Sequence, residues 1–155
     1  MAVDHDHFMD VALAEARRAE AEGNTPVAAV IVREGRVVGV GRNEVASRRD
    51  PTLHAETVAI GAASLALGSG ELKGCTLYST MEPCPMCCWA IVVSGLDRLV
   101  LGARNAALGY ADQGRYTVEA LLAMTGRKLD VLTGVRTREC EDYRREWSRR
   151  TGRNR

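Results

Sequence analysis

Apolar positions along the chain follow two periods, one helical and one extended. Residues 6–22 repeat at steps of three and four. Phe8, Met9, Ala12, Leu13, Ala16 and Ala19 form one stripe, which predicts an amphipathic helix ended by Gly23-Asn24. Segments 26–33 and 36–41 are short β-branched runs, and Glu34-Gly35 between them predicts a tight hairpin turn. Segment 54–67 is alanine-rich and predicts a buried helix closed by Gly68-Ser69-Gly70. Strands are predicted at 75–80, 98–103 and 129–133, and helices at 84–94, 117–124 and 137–149. Segment 84–94 is apolar on every side, so it needs cover from more than one surface. The order α-β-β-α-β-α-β-α-β-α predicts a three-layer α/β/α fold, a five-stranded mixed sheet with helices on both faces. A helical segment separates the last two strands, which suits a crossover and a parallel pairing.

The chain of 155 residues is 46% hydrophobic and 26% charged with a net charge of +1, so disorder is excluded and a single domain over 1–155 is expected. No apolar run approaches the roughly 20 residues of a membrane span. The start, Met-Ala-Val-Asp-His-Asp-His, lacks the apolar stretch of a secretory signal, and a cytoplasmic location is expected. Five cysteines, an odd number, then point to metal or catalytic use rather than to a disulfide scaffold. The near-neutral balance does not favour nucleic acid as a partner but leaves a local basic patch open. Residues 136–155 hold eight arginines and four acids, and the basic end from about residue 150 is expected to fray. That end is either a solvated helix face or a phosphate-binding tail.

Two short stretches carry candidate chemistry: Thr52-Leu53-His54-Ala55-Glu56 and Met81-Glu82-Pro83-Cys84-Pro85-Met86-Cys87. Each opens an apolar helix. Cys84 and Cys87, three apart, share one face of a first helical turn, and a helix N-terminus favours the thiolate a metal requires. With His54 they supply one nitrogen and two sulfurs, a donor set that suits Zn2+. Three protein ligands rather than four leave a position open to water, the catalytic arrangement. Glu56, two residues beyond His54, is placed to move protons rather than to bind metal. The adjacent Cys88 points elsewhere on its helix, and Cys75 and Cys140 read as core. His5 and His7 carry no expected function.

H-x-E followed by P-C-x-x-C is the known signature of zinc deaminases. On these motifs, together with PVAAVIV, GRN and RLVLGA, the chain resembles the cytidine deaminase-like superfamily. It is most similar to the branch that holds tRNA adenosine deaminases, guanine deaminases and free cytosine deaminases. The resemblance implies a five-stranded sheet with parallel fourth and fifth strands, and a homodimer. It implies zinc on His54, Cys84 and Cys87, and Glu56 as the catalytic proton shuttle. It also implies base contacts from Asn43 and from the Ala55 backbone amide.

Substrate choice divides the branch. Ala28, Trp89 and the final-helix run Tyr143-Arg144-Arg145-Glu146-Trp147 depart from the tRNA-editing pattern, while Gly109-Tyr110-Ala111-Asp112 resembles the guanine type. Glu82 before Pro83 speaks against a free cytosine deaminase. Asp112 is either a base contact or an exposed loop acid. Trp147 is either a lid stacked on the base or a packing aromatic. Trp89 packs in the core or at a dimer interface, and Met81 and Met86 read as core and wall. The expected reaction is hydrolytic deamination of a small nucleobase or nucleoside, guanine-type first and cytosine-type next, releasing ammonia. A tRNA adenosine deaminase is the alternative, and a non-catalytic zinc-containing nucleic-acid-binding module is the rival from another class. Glu56 argues against the module, which has no use for a proton shuttle.

Overall fold

The computed structural model describes residues 2–154. Helix α1 (His5–Ala21) begins where the Asp4 carboxylate accepts from His7 N at 3.0 Å, and it buries the whole predicted stripe from Phe8 to Ala19. Strands β1 (Ala28–Arg33) and β2 (Arg36–Arg42) form a hairpin. Its two turn residues, Glu34 and Gly35, both take positive φ (49° and 75°), the conformation whose twist matches the flanking strands. A bulge between Ile31 and Val32 shifts the register toward the turn.

A one-turn helix α2 (Val45–Arg48) leads to α3 (Ala55–Leu67), β3 (Cys75–Met81), α4 (Pro85–Val93) and β4 (Arg98–Ala103). After a 3-10 turn at Ala106–Leu108 come α5 (Val118–Thr125), β5 (Asp130–Leu132) and α6 (Thr137–Thr151). The sheet has five strands in the order β2-β1-β3-β4-β5. β1 runs antiparallel to both neighbours, and β3, β4 and β5 are mutually parallel, as the crossovers through α4 and α5 require.

One face buries Ala29, Ile31, Leu77, Leu99 and Leu101 under α3, α4 and α5, and the other buries Val30, Tyr78 and Val100 under α1 and α6. α3 lies unusually close to β2. Ala55, Ala59 and Ala63, at successive fourth positions, face Gly39 and Gly41, and small residues on both sides allow near backbone contact. This is the physical reason for the alanine-rich composition of segment 54–67.

Two features differ from the sequence expectation. α2 and the 3-10 turn were not anticipated. The basic end does not fray at residue 150: α6 runs to Thr151, Gly152 turns the chain at φ 69°, and the Asn154 carbonyl accepts from Arg144 Nη2 at 2.7 Å. Arg155 lies outside the described residues. No helix among the described residues is long and apolar enough to cross a membrane.

Candidate active site

The loop before α3 and the loop after β3 bring the two motifs together. His54 is the N-cap residue of α3 and Cys84 that of α4, both in extended conformation, so each side chain stands at the N-terminal end of its helix. Pro85 occupies the first turn of α4, where its missing N–H costs nothing, and Cys84 Sγ accepts from Cys87 N at 3.4 Å. The ligand atoms of His54, Cys84 and Cys87 all lie within 4.8 Å of one another. His54 Nδ1 and Cys84 Sγ are 3.6 Å apart. A tetrahedron with zinc bond lengths has an N–S edge of ~3.6 Å, so this pair is already spaced for the metal.

The electrostatics fit as well. Hydrogen bonds from the Cys87 thiol, the His54 ring and the Cys87 amide hold the Cys84 thiol down to about 4, which favours the thiolate form that a metal requires. The Cys87 thiol is pushed up, because it donates to the Cys84 thiolate and is buried. Zinc would bind both sulfurs as thiolates, so binding releases whatever protons the two thiols carry. Cys84→Ser and Cys87→Ser are each expected to fall well below the about one zinc per chain of the unaltered protein, measured by metal analysis after gel filtration. Full occupancy in both variants would remove these cysteines from the site.

Glu56, in the first turn of α3, is 3% exposed and lines the same cavity. Burial raises its pKa, which brings a carboxyl group toward the range where it can both take and give a proton near neutral pH. Its Oε1 accepts from Ser79 Oγ at 3.0 Å.

The cavity has a volume of about 270 Å³. Asn43 and Ala55, the residues that the resemblance implies as base contacts, line it. Asn43 Oδ1 accepts from Val45 N at 3.1 Å, an Asx turn that orients the amide in the wall. Two candidates lie elsewhere. Asp112 is exposed and not part of the wall; the next residue, Gln113, lines it together with Tyr110. Trp147 is 2% exposed and no lid. Its ring is covered by the guanidinium groups of Arg144 at 4.8 Å and Arg153 at 5.2 Å, and these two arginines line the cavity in its place.

Sequence reasoning also missed how the opposite wall is held. Glu82 Oε1 accepts from Asn105 N at 3.2 Å, and Oε2 from Val118 N and Arg104 Nη1, both at 3.1 Å. One buried carboxylate thus ties the end of β3 to the loop after β4 and to the start of α5. The Tyr116 hydroxyl donates to Pro83 O at 2.6 Å and pins the turn just before Cys84. The position of Glu82 inside the cysteine motif was the only signal of this.

Known proteins share this arrangement. The family described as the cytidine and deoxycytidylate deaminase zinc-binding region matches residues 2–103. A tRNA-specific adenosine deaminase of Aquifex aeolicus (strain VF5) is 44% identical over 104 residues, 67% of this chain and 69% of its own length. A solved structure from a study of A-to-I editing by tRNA:A34 deaminases superposes with a TM-score of 0.77 at 36% identity, covering 88% of this chain and 97% of its own. The guanine deaminase from Nitrosomonas europaea superposes with a TM-score of 0.82 at 27% identity, covering 96% of this chain and 86% of its own. The matched region contains both motifs and all three candidate ligands. The donor set, the buried glutamate and the fold thus agree with the match: the chain belongs to the cytidine and deoxycytidylate deaminase family and is a zinc-dependent hydrolytic deaminase.

Proposed function

We propose that this deaminase acts on an amino-substituted purine, and that the purine is an adenosine of a tRNA, converted to inosine. The observation that carries this reading is the 44% identity to a tRNA-specific adenosine deaminase across the segment that holds both motifs. It reverses the order drawn from the sequence, which placed a free guanine-type base first. Arg144 and Arg153 in the cavity wall add positive charge where a phosphate chain would enter.

His54, Cys84 and Cys87 hold the zinc. When bound there, zinc supplies a Lewis acid that lowers the pKa of water toward neutrality. Asn43 and the Ala55 amide hold the ring, with its amine-bearing carbon above the ligand triad. Glu56 takes the proton that the attacking water gives up. It delivers that proton to a ring nitrogen, then takes the second proton from the hydroxyl now on the ring carbon and delivers it to the amine, so that the carbonyl forms as the amine departs as ammonia. Protonation is needed at both places because an amide-like anion is a poor leaving group.

A second reading, a free aminopurine of the guanine type, is supported by the fold beyond the matched segment. The Nitrosomonas europaea enzyme superposes over 96% of this chain, and the tail through Asn154 folds back onto the cavity wall. One assay separates the two. Ammonia release is measured on an anticodon stem-loop with a wobble adenosine, on adenosine and on guanine, at low and raised salt. The first reading expects inosine in the stem-loop and a steep loss of turnover with salt. Turnover confined to guanine and insensitive to salt overturns it in favour of the second.

On α4, Cys87, Cys88, Ile91 and Val92 face inward, while Met86, Trp89 and Val93 form a stripe that is 38%, 40% and 60% exposed. We propose a second copy of the chain as its cover, since a homodimer buries one such stripe on each partner.

A further inference from the structure

Ser79 is out of character for its surroundings. It sits on the central strand β3 with no exposed surface. Its strand partners are Ala29 and Leu101, and Leu77 precedes it on the same face of the sheet. An alanine or valine would fill this position without burying a hydroxyl, and a buried hydroxyl is unfavourable unless hydrogen-bonded. The Ser79 hydroxyl has two acceptors in reach: Glu56 Oε1 at 3.0 Å and the Met81 carbonyl at 2.7 Å. A serine hydroxyl has one proton to donate, so it serves one acceptor at a time.

We infer that Ser79 is a positioning residue for Glu56, holding one carboxylate oxygen against the sheet so that the other is presented to the reacting atoms. The inference rests on the proposed role of Glu56 as proton carrier. The hydroxyl lies between Glu56 Oε1 and the Met81 carbonyl, so it ties the carboxyl group of α3 to the end of β3 and has a buried acceptor in either rotor position. A serine kept only for structure would need the Met81 bond alone, and nothing in that role calls for contact with Glu56.

The test uses zinc-loaded enzyme and whichever of the stem-loop or guanine the unaltered protein turns over. Ser79→Ala is expected to lower kcat roughly 10-fold, the worth of one hydrogen bond to a charged group, with KM within about twofold and zinc content unchanged. Ser79→Thr keeps the hydroxyl and is expected to recover most of that loss. Melting curves of both variants ensure that kcat is read well below unfolding. Combined with Glu56→Gln, Ser79→Ala is expected to cost nothing more, since the group it positions no longer carries the proton. Wild-type kcat in Ser79→Ala, or an equal further loss in the Glu56→Gln background, overturns the inference. If Glu56→Gln alone keeps its turnover, it is the role of Glu56 that fails instead.

Discussion

Glu56→Gln is expected to retain the fold and about one zinc per chain and to lose at least 100-fold in turnover, within the range that positioned general acid–base catalysis supplies. Glutamine has the same shape, and its amide oxygen still accepts from Ser79, so the bond at 3.0 Å survives. What disappears is the capacity to hold a proton between water, ring nitrogen and departing amine. The melting temperature is expected to equal or exceed that of the unaltered protein. A buried carboxylate that burial pushes toward its neutral form is a load on stability that a neutral amide relieves. Ammonia release, zinc content and a thermal melt on the same preparation check all three expectations. Turnover within a few-fold of the unaltered enzyme would remove Glu56 from the proton path.

The parts of this molecule that were readable before the structure are those whose signal is local. The period of the α1 stripe, the Glu34-Gly35 turn and the short β-branched runs depend on neighbours a few residues away, and each appears where expected. The approach of His54 to Cys84 and Cys87 was readable because β2 and β3 run the same way, so the helices that follow them, α3 and α4, both start at one end of the sheet. The far wall was not readable, because it is made by long-range bonds. Arg144 and Trp147 stand one turn apart on α6, and the sequence gives no means to tell which one reaches the cavity. The choice depends on Gly152 turning the chain back so that Asn154 and Arg153 pack over Arg144 and Trp147. The same holds for the loop after β4, where Gln113 rather than Asp112 faces inward. Its path is set by Glu82, which bonds to backbone amides 23 and 36 residues away. Ser79 escaped notice because a lone serine in an apolar strand has no pattern of its own.

The closeness of α3 to β2 leads to opposite outcomes for one kind of substitution at two glycines. A Cβ on Gly41 would stand 2.1 Å from the Ala55 carbonyl oxygen and 2.3 Å from Ala59 N. Both are backbone atoms of α3, so no side chain can rotate away, and the whole helix must retreat from the strand. Overpacking of this kind costs about 3 kcal/mol or more, which corresponds to a fall of roughly 10 °C in melting temperature for a chain of this size. His54 and Glu56 sit at the first turn of that helix, so Gly41→Ala is also expected to weaken zinc retention and turnover together. Gly61 lies on the exposed side of the same helix, and a Cβ there would meet nothing within 4 Å. Gly61→Ala is expected to stabilise the fold by about 0.5–1 kcal/mol, because alanine favours the helix and narrows the unfolded ensemble. Thermal melts of the two variants, with zinc content measured alongside, check the pair. A Gly41→Ala protein that melts with the unaltered one and keeps its zinc would mean that α3 does not rest on β2 in this way.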